Sequence, residues 1–497
     1  MLLTLTVTKV HLPVELTYDG EGLRIEGDFN AHKKLKAGRS CGCIPLPPPK
    51  LPDPTLLPID HRHLLNMTYQ DSTHMLHIQA LIPRQPDQEN KSTLDLYKFM
   101  YSVTKGQEQD AIRFCEVVME DAYKGLVAQK RLKVLINPFG GQGQAKKIYE
   151  EQVRPIFEAA KCTVDIQYTE YQGHAITIAK ELDITAYDAV VTVSGDGVIH
   201  EVINGFLQRS DARQAIRQCP LGVIPGGTGN ALSICMLGEQ QGFDPMVAAL
   251  QVVKGRSLAL DLCSVTYDDH RYFSFLSQNY GITSYADLGT ENLRWMGDAR
   301  TILGLLKEIL SGNSYGMEAA VHIVENNKDT IQRQYEQAHA SATWEDLAEQ
   351  PNGEDGMVVD TIPALNEPVP EDWTKIEGKI SFFLTSKTPL LARGMLSHPC
   401  ALPSDGLLDL LLVRGQYGVM KQLGVFEKVE KGNHLDSKIV EYYKIKAFRL
   451  TPKPAPGQKA YVAIDGEHAP LKPFQVQVHP RLAFVLSFNP TFINARL

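Results

Sequence analysis

The sequence has few of the features that place a chain in a specialised class. It has no run of about 18 apolar residues, so we predict no transmembrane helix. Its first residues, MLLTLTV, lack the basic start and the cleavage site of a secretory signal. It has no excess of positive charge, and its net charge of −8 argues against a nucleic-acid partner, which would usually meet a basic face.

Cysteine is sparse and shows no functional spacing. The chain has 8 cysteines, of which only Cys41 and Cys43 lie close together. Neither the even pairing of a disulfide framework nor the spacing of a zinc site is present. We therefore expect a reducing compartment and a cytoplasmic location.

Two common nucleotide-binding motifs are also missing. No GxxxxGK[ST] sequence occurs, which excludes a P-loop kinase, and Gly141-Gln142-Gly143 lacks the third glycine of a dinucleotide fingerprint. Any nucleotide site must therefore be built from backbone amides and small side chains of several loops.

Changes in composition and hydrophobic pattern along the chain predict three segments, and 497 residues are too many for one core. Residues 1–130 form an extension with short strands, a basic and proline-rich loop over 31–58, and a mostly helical stretch over 92–130. Residues 131–258 alternate between strands and helices. Residues 259–497 are rich in short strands and carry an acidic insertion, about 325–375, that we predict to be disordered.

We predict that the middle segment, residues 131–258, is an α/β domain. Apolar strands are predicted at 132–137, 164–168, 189–193 and 221–224, with helices between them at 144–160, 173–181 and 198–207. Continuous apolar strands between helices indicate a parallel sheet that is covered on both faces. The fold class is therefore α/β followed by a mainly antiparallel β domain.

Three glycine-rich turns follow strands of this segment. They are 137–143 (NPFGGQG), 194–197 (SGDG) and 225–230 (PGGTGN). Glycine lets backbone N–H groups approach phosphate oxygens, and a helix N-terminus favours negative charge. Because the carboxyl ends of parallel strands share one edge of a sheet, we expect the three turns to meet there.

Asp196 is the unusual residue of these turns, because a carboxylate repels phosphate. It is explained if it holds a magnesium ion or accepts a proton from the substrate. The alternative is a tight strand-to-helix turn in which the aspartate is only a cap. The sequence leaves these interpretations open.

The three blocks, in this order and spacing, resemble the catalytic region of the diacylglycerol kinase and sphingosine kinase superfamily. The resemblance covers about 130–320 and resumes at about 377–497. It implies ATP-dependent phosphorylation of a lipid hydroxyl, with an α/β nucleotide domain, a β-sandwich lipid domain and Mg²⁺ as cofactor. The nucleotide-binding residues it implies are Asn137, Pro138, Gly140, Gly141, Gly143, Ser194, Gly195, Gly197, Glu201, Gly226, Gly227, Thr228, Asn230, Arg294, Arg300, Asp465, Gly466 and Glu467, with Asp196 catalytic.

The stretch 280–300 is most similar to sphingosine kinases. There, an aspartate matching Asp287 contacts the amine of the sphingoid base, and the residue matching Glu291 supports the same head group. A carboxylate suits this task because a long-chain base carries an ammonium group. Asp405 and Asp409 match a family turn that either orders the β domain or binds metal, and both roles stay open.

A lipid substrate implies peripheral contact with intracellular or plasma membranes. Cys41 and Cys43 lie beside Lys33, Lys34 and Lys36, which suggests S-palmitoylation next to a basic patch, or else two idle cysteines in a linker. The alternatives to a sphingoid-base kinase are a diacylglycerol or ceramide kinase, an NAD kinase, and a non-catalytic lipid-binding scaffold on a degenerate kinase fold.

Overall fold

The computed structural model describes residues 2–27, 33–34, 59–84, 93–227, 229–268, 270–289, 299–345 and 356–493. The side chains of 33–34, 141–142, 287 and 299–302 also lie outside the described part of the structure. Cys41, Cys43, Thr228, Glu291 and Arg294 lie outside the described residues. No helix of the described ranges is both long and apolar enough to cross a bilayer.

Strands are distributed along the whole chain. In chain order they are β1 Leu3–Lys9, β2 Leu12–Tyr18, β3 Gly22–Glu26, β4 Lys33–Lys34, β5 Ile59–Asp60, β6 Leu64–Gln70, β7 Met75–Pro83, β8 Leu94–Ser102, β9 Arg131–Ile136, β10 Thr163–Tyr168, β11 Ala189–Ser194, β12 Leu221–Pro225, β13 Arg256–Thr266, β14 Arg271–Ser274, β15 Ser277–Gly281, β16 Tyr315–Glu325, β17 Thr374–Ser386, β18 Leu408–Arg414, β19 Val440–Pro452, β20 Val462–Ile464, β21 Glu467–Ala469 and β22 Phe474–Ser487.

Helices are concentrated between β8 and β16. They are α1 Glu108–Ala122, α2 Gly140–Gly143, α3 Ala145–Ile148, α4 Arg154–Ala159, α5 His174–Glu181, α6 Asp196–Leu207, α7 Ala212–Gln218, α8 Ala231–Gln241, α9 Pro245–Lys254, α10 Ile282–Leu288, α11 Ala299–Leu310, α12 Lys328–Ser341 and α13 Val419–Phe426. These bounds confirm the helices and strands predicted between 131 and 258 to within a few residues.

The chain forms two compact units, each built from separate stretches of sequence. The first contains 1–134, 146–167 and 244–256, and the second contains 135–145, 168–243 and 257–497. These units cut across the three predicted segments, because 146–167 and 244–256 pack with the amino-terminal stretch. The predicted domain bounds themselves stay predictions.

The first unit contains an antiparallel sheet in the order β5-β3-β2-β1-β8-β7-β6, with β4 beside β8. The prediction that 92–130 is mostly helical is wrong for its first part, because Leu94–Ser102 is a strand. Tyr97, Phe99 and Tyr101 are buried while Met100 is exposed, so the side chains alternate with the period of a strand. Helix α1 supplies the helical part.

The second unit contains a sheet that changes from parallel to antiparallel. Strand β12 pairs in parallel with β11 and with β22, and β22 pairs antiparallel with β19. From there the order continues β19-β16-β17-β15-β20-β21. The predicted fold class, an α/β part followed by an antiparallel β part, is confirmed.

The predicted disordered insertion is ordered in part. Lys328–Ser341 is a helix, begun by Asn327, whose side chain accepts a hydrogen bond from the Thr330 N–H. Farther along, the Asp360 carboxylate accepts hydrogen bonds from Ser264 and Arg271. The prediction is therefore wrong for these parts, because partners far along the chain hold them, and 346–355 lie outside the described residues.

Candidate active site

The second and third glycine turns pack directly against each other. The Ser194 carbonyl accepts hydrogen bonds from the Gly226 N–H at 2.9 Å and from the Asn230 side-chain amide at 3.3 Å. A Cβ atom on Gly195 would lie 2.6 Å from the Gly229 carbonyl oxygen. Only glycine permits this approach, which sets the backbones of the two turns side by side.

The first turn reaches the same place. The Asn137 N–H donates to the Val193 carbonyl at 3.3 Å, and the Asn137 side chain accepts from the Phe139 N–H at 3.0 Å, which holds the turn closed. A Cβ on Gly226 would lie 3.2 Å from Ala145, just after the first turn. The structure therefore brings together the three turns, as the shared edge of the predicted sheet requires.

Asp196 begins helix α6 at the centre of this cluster. Its carboxylate accepts hydrogen bonds from the Ala231 N–H at 2.7 Å and the Leu232 N–H at 3.3 Å, which are the first amides of helix α8. Burial raises the pKa of Asp196 to about 6; the two amide donors oppose this shift and the nearby Asp465 charge adds to it. A carboxylate with such a pKa can accept a proton near neutral pH.

Glu201 bonds the start of another helix. Its two carboxylate oxygens accept hydrogen bonds from the N–H groups of Gly173 at 2.8 Å and Ala175 at 3.1 Å. These donors belong to the first turn of α5, where a negative charge is stabilising. Glu201 therefore joins α5 to α6, and its role in nucleotide binding stays a prediction.

The Asp465-Gly466-Glu467 segment is a tight hairpin between β20 and β21. Asp465 and Gly466 both have positive φ, 51° and 79°, and Ile464 pairs with Glu467 across the turn. This is the two-residue hairpin that the sequence indicates. A Cβ on Gly197 would lie 3.6 Å from the Glu467 carboxylate, so the hairpin returns to the Asp196 turn.

The Asp465 carboxylate is occupied by donors from within the fold. It accepts from the Ser274 hydroxyl and from three consecutive backbone N–H groups, of Phe275, Leu276 and Ser277. It also bonds the His200 ring at 2.8 Å. Asp465 thus fixes the segment between β14 and β15, and its predicted nucleotide contact is not tested by this arrangement.

His200 and Asn204 are residues that sequence reasoning did not single out. Burial opposes a charge on the His200 ring, but the Asp465 carboxylate outweighs it and raises the pKa of His200. The Asn204 side chain bonds both the N–H and the carbonyl of Phe273 at 2.8 Å. The available signal was spacing: His200 and Asn204 follow Asp196 by four and eight residues, and therefore share its side of α6.

Asp405 and Asp409 belong to a buried cluster of charges. Asp405 bonds Lys387 at 3.0 Å and Lys444 at 2.8 Å, while Asp409 bonds Lys444 at 2.8 Å. Asp261 completes the cluster at 2.8 Å from Lys387. Each of these carboxylates is already paired with a lysine, so the arrangement favours the structural role among the two that the sequence left open.

The described residues contain no group of three or more His, Cys, Asp or Glu side chains that could hold a metal ion. Magnesium needs less, because it is usually bound by one or two carboxylates together with substrate phosphates and water. Near the glycine turns, Asp196 and Glu467 supply such oxygen ligands. The residues present therefore fit a magnesium–nucleotide complex better than a metal site made of protein alone.

The structure describes only part of the predicted head-group site. Asp287 lies in α10, which begins directly after β15 at Gly281 with φ 107°, and its side chain is outside the description. Ser284 anchors this helix through its hydroxyl, which donates to the carbonyls of Gly281 and Tyr461. Arg300 lies in α11. The substrate contacts of Asp287 and Glu291 stay predictions.

Two protein families match this chain, one over the α/β part and one over the antiparallel β part. A diacylglycerol kinase catalytic domain matches residues 131–265, and a YegS C-terminal NAD kinase beta sandwich-like domain matches residues 314–487. The first match contains all three glycine turns. The second contains the lysine–aspartate cluster except Asp261, and the Asp465 hairpin.

The chain is similar to "Sphingoid long chain base kinase 4" of Schizosaccharomyces pombe, with 34% identity over 76% of this chain and 80% of that protein. The chain belongs to the sphingoid long-chain base kinase family. "Sphingoid long chain base kinase 5" of Saccharomyces cerevisiae is 31% identical over 78% of this chain and 63% of that protein. "Sphingosine kinase 1" of Arabidopsis thaliana is 33% identical over 68% of each.

A solved diacylglycerol kinase from Bacillus anthracis aligns with this member of the sphingoid long-chain base kinase family at a TM-score of 0.48 and 15% identity, covering 73% of this chain and 98% of that one. The family membership rests on the sequence relatives.

Proposed function

We propose that this chain transfers the γ-phosphate of ATP to the primary hydroxyl of a sphingoid long-chain base. The relatives are named as kinases of sphingoid long-chain bases, and residues 131–265 of this chain match the diacylglycerol kinase catalytic domain. The observation that carries the proposal is the position of Asp196. It lies where three glycine turns meet, between the amides that suit phosphate and the Glu467 hairpin.

In this proposal Asp196 accepts the proton of the lipid hydroxyl as the oxygen attacks the γ-phosphorus of ATP. The bond to the bridging oxygen breaks, ADP leaves, and the proton stays on the carboxylate until it passes to water. The amides at the start of α6 and in the glycine turns hold the phosphate oxygens, because the first amides of α8 are already bonded to Asp196. Catalysis is then mainly positioning and charge stabilisation.

Magnesium is the proposed cofactor, and it would neutralise charge on the ATP phosphates. We assign Glu467 to it, with Asp196 as the competing ligand, because Glu467 lies beside Gly197 and has an oxygen directed there. The Asp405 and Asp409 carboxylates are bonded to lysines and do not suit the ion.

We also propose that Asp287 pairs with the ammonium group of the base, and that Glu291 supports it. Neither diacylglycerol nor ceramide has a free amine, so a kinase for these lipids would give Asp287 no partner. The enzyme meets its substrate by peripheral contact with a membrane on its cytoplasmic side. Acylation of Cys41 and Cys43 is one route to that contact, and replacing both by Ser tests it by membrane partition.

The deciding experiment uses radiolabelled ATP with sphingosine, dihydrosphingosine, phytosphingosine, ceramide and diacylglycerol. We expect phosphorylation of the amine-bearing lipids, loss of nearly all turnover in Asp196→Asn, and selective loss on amine-bearing lipids in Asp287→Asn. Transfer to diacylglycerol or ceramide in preference would replace the proposed substrate. No transfer to any lipid would favour the scaffold alternative.

A further inference from the structure

The turn between β1 and β2 exposes apolar side chains on a strained backbone. Lys9 pairs with Leu12, so Val10 and His11 form a two-residue turn, and both have positive φ, 49° and 67°. Turns of this type are ordinarily built from Asn and Gly, and a β-branched residue at positive φ is an outlier. Val10 is 84% exposed and Leu12 is 57% exposed.

Packing within the fold does not compensate for this strain, because the Val10 side chain lies in solvent. Glycine at this position would remove both the strain and the exposed apolar surface. A strained residue that gains nothing inside the fold points to a function of its exposed side chain. The natural candidate is a contact outside the molecule that needs apolar groups at the tip of a hairpin.

One cation and several exposed apolar side chains lie beside the turn. Lys9 lies at the base of the turn, with its ammonium 5.8 Å from the centre of the Tyr101 ring. Thr8 pairs with Ser102 of β8, and Met100, two residues earlier on that strand, is 43% exposed. No acidic residue occurs before Glu15 in the chain. An ammonium group beside exposed apolar side chains suits an anionic lipid surface.

We propose that the turn Lys9–Leu12 is a membrane-docking tip, which inserts Val10 and Leu12 into the interface of an anionic phospholipid bilayer. Lys9 then lies at the level of the lipid phosphates, where its long side chain can reach them. A bilayer is favoured over a protein partner because two side chains on a convex turn offer far less than the roughly 800 Å² a side that specific protein interfaces bury.

This inference deepens the proposed membrane contact and rests on it, but it involves no residue of the proposed active site. It can therefore be tested without ATP or sphingoid base, so its failure is distinct from failure of the kinase assay. The probe is a sedimenting vesicle of phosphatidylcholine with about one fifth phosphatidylserine, and a second vesicle of phosphatidylcholine alone.

The test variant is Val10→Gly combined with Leu12→Ser in the full chain. Because each buried CH₂ group contributes about fourfold to partition, we expect binding to the anionic vesicles to fall by about tenfold or more. The matched control is Gln129→Gly, which removes an exposed polar side chain at another positive φ, 52°, and should bind as the native protein does.

Thermal unfolding separates lost docking from lost folding. Val10→Gly relieves backbone strain, so the Tm of the double variant should not fall below that of the native protein by more than the Leu12 change costs alone. Lys9→Gln should reduce the preference for anionic over neutral vesicles. The proposal is overturned if the native protein binds neither kind of vesicle, or if the double variant sediments with the anionic vesicles as strongly as the native protein does.

Discussion

At the scale of single residues, two opposing effects set the pKa of Asp196. Burial favours its neutral form, while the first amides of α8 favour its charged form, and burial is the stronger of the two. The resulting pKa of about 6 lets the same carboxylate be charged at neutral pH and still take a proton during transfer.

This pKa predicts the acid side of the pH–rate profile. As pH falls through about 6, Asp196 becomes protonated and can no longer accept the hydroxyl proton, so kcat/KM should fall tenfold per pH unit below it. Initial rates between pH 5 and 8 measure this limb. Asp196→Asn should lose at least about 10²-fold in activity and show no such limb.

The control is Asp372→Asn, which changes an exposed carboxylate in the same unit and should leave both rate and profile unchanged. A native profile that stays flat down to pH 5, or a limb retained in Asp196→Asn, would show that another group accepts the proton.

Sequence reasoning found Asp196 because a carboxylate between two glycines after an apolar strand is chemically unusual. It did not find the role of Asp465, whose carboxylate accepts hydrogen bonds from residues 188 to 191 positions away in the chain. Such a role depends on which strands pair, and one sequence does not carry that information. His200 was missed for the same reason, because its partner is Asp465.

At the scale of elements, the β part of the second unit depends on charges buried between strands. Lys444 on β19 donates to Asp405, to Asp409 on β18 and to the Cys400 carbonyl, each at 2.8 Å. The carboxylates keep Lys444 charged despite burial. The cluster therefore ties two neighbouring strands to the loop that precedes β18.

Removing one member of this cluster should cost more than removing a surface ion pair. Lys444→Met leaves the buried Asp409 without its lysine and Asp405 with Lys387 alone. Breaking a buried pair in this way typically costs about 3–5 kcal/mol. Chemical denaturation of the full chain measures the loss. Activity of the folded fraction should persist, because the cluster is structural in this interpretation.

Arg414→Ala serves as the comparison, since Arg414 pairs with Glu441 on the same two strands, but with both side chains more than a quarter exposed. Its loss of stability should be several-fold smaller. Equal losses in the two variants would mean that burial adds nothing to the Lys444 cluster. Loss of magnesium dependence in Lys444→Met without loss of stability would instead support the metal role of Asp405 and Asp409.

The elements themselves show where sequence is sufficient. The α/β stretch was predictable because each strand is a short apolar run and each turn has its own glycine. The strand Leu94–Ser102 was mistaken for helix because Asp95 and Lys98 interrupt its apolar residues without the strict alternation of a strand, and Asp95 is itself buried. The helix Lys328–Ser341 was hidden by its polar composition, since only Ile331 and Tyr335 of it are buried.

At the scale of the whole molecule, the amino-terminal stretch is part of a unit that includes later segments. Asp244 caps α9 and also accepts hydrogen bonds from the N–H and hydroxyl of Thr93. Near the other end of α9, Lys254 donates to the Ala122 carbonyl at 2.9 Å, with its ammonium 3.3 Å from the centre of the Tyr123 ring. A linear division at residue 130 could not reveal this.

Lys254 makes the stability of this unit depend on pH. Burial, aided by the charge of Lys130, lowers the pKa of Lys254 to about 7, against 10.5 in the unfolded chain. Between these values the unfolded state holds a proton that the folded state releases, so stability rises with pH, by at most about 1.4 kcal/mol per pH unit. Lys254→Met should therefore flatten the rise of the free energy of unfolding between pH 7 and 9.

Denaturant unfolding at pH 7, 8 and 9 gives the slope of the free energy of unfolding against pH for the native protein and for Lys254→Met. The control is Lys124→Met, which alters an exposed lysine two residues after α1 and should keep the native slope. The Met variant should equal or exceed the native protein in stability at pH 7, since it no longer buries an ammonium. Identical slopes for native and Lys254→Met proteins would mean that Lys254 stays fully charged, held by the Tyr123 ring and the Ala122 carbonyl rather than neutralised by burial.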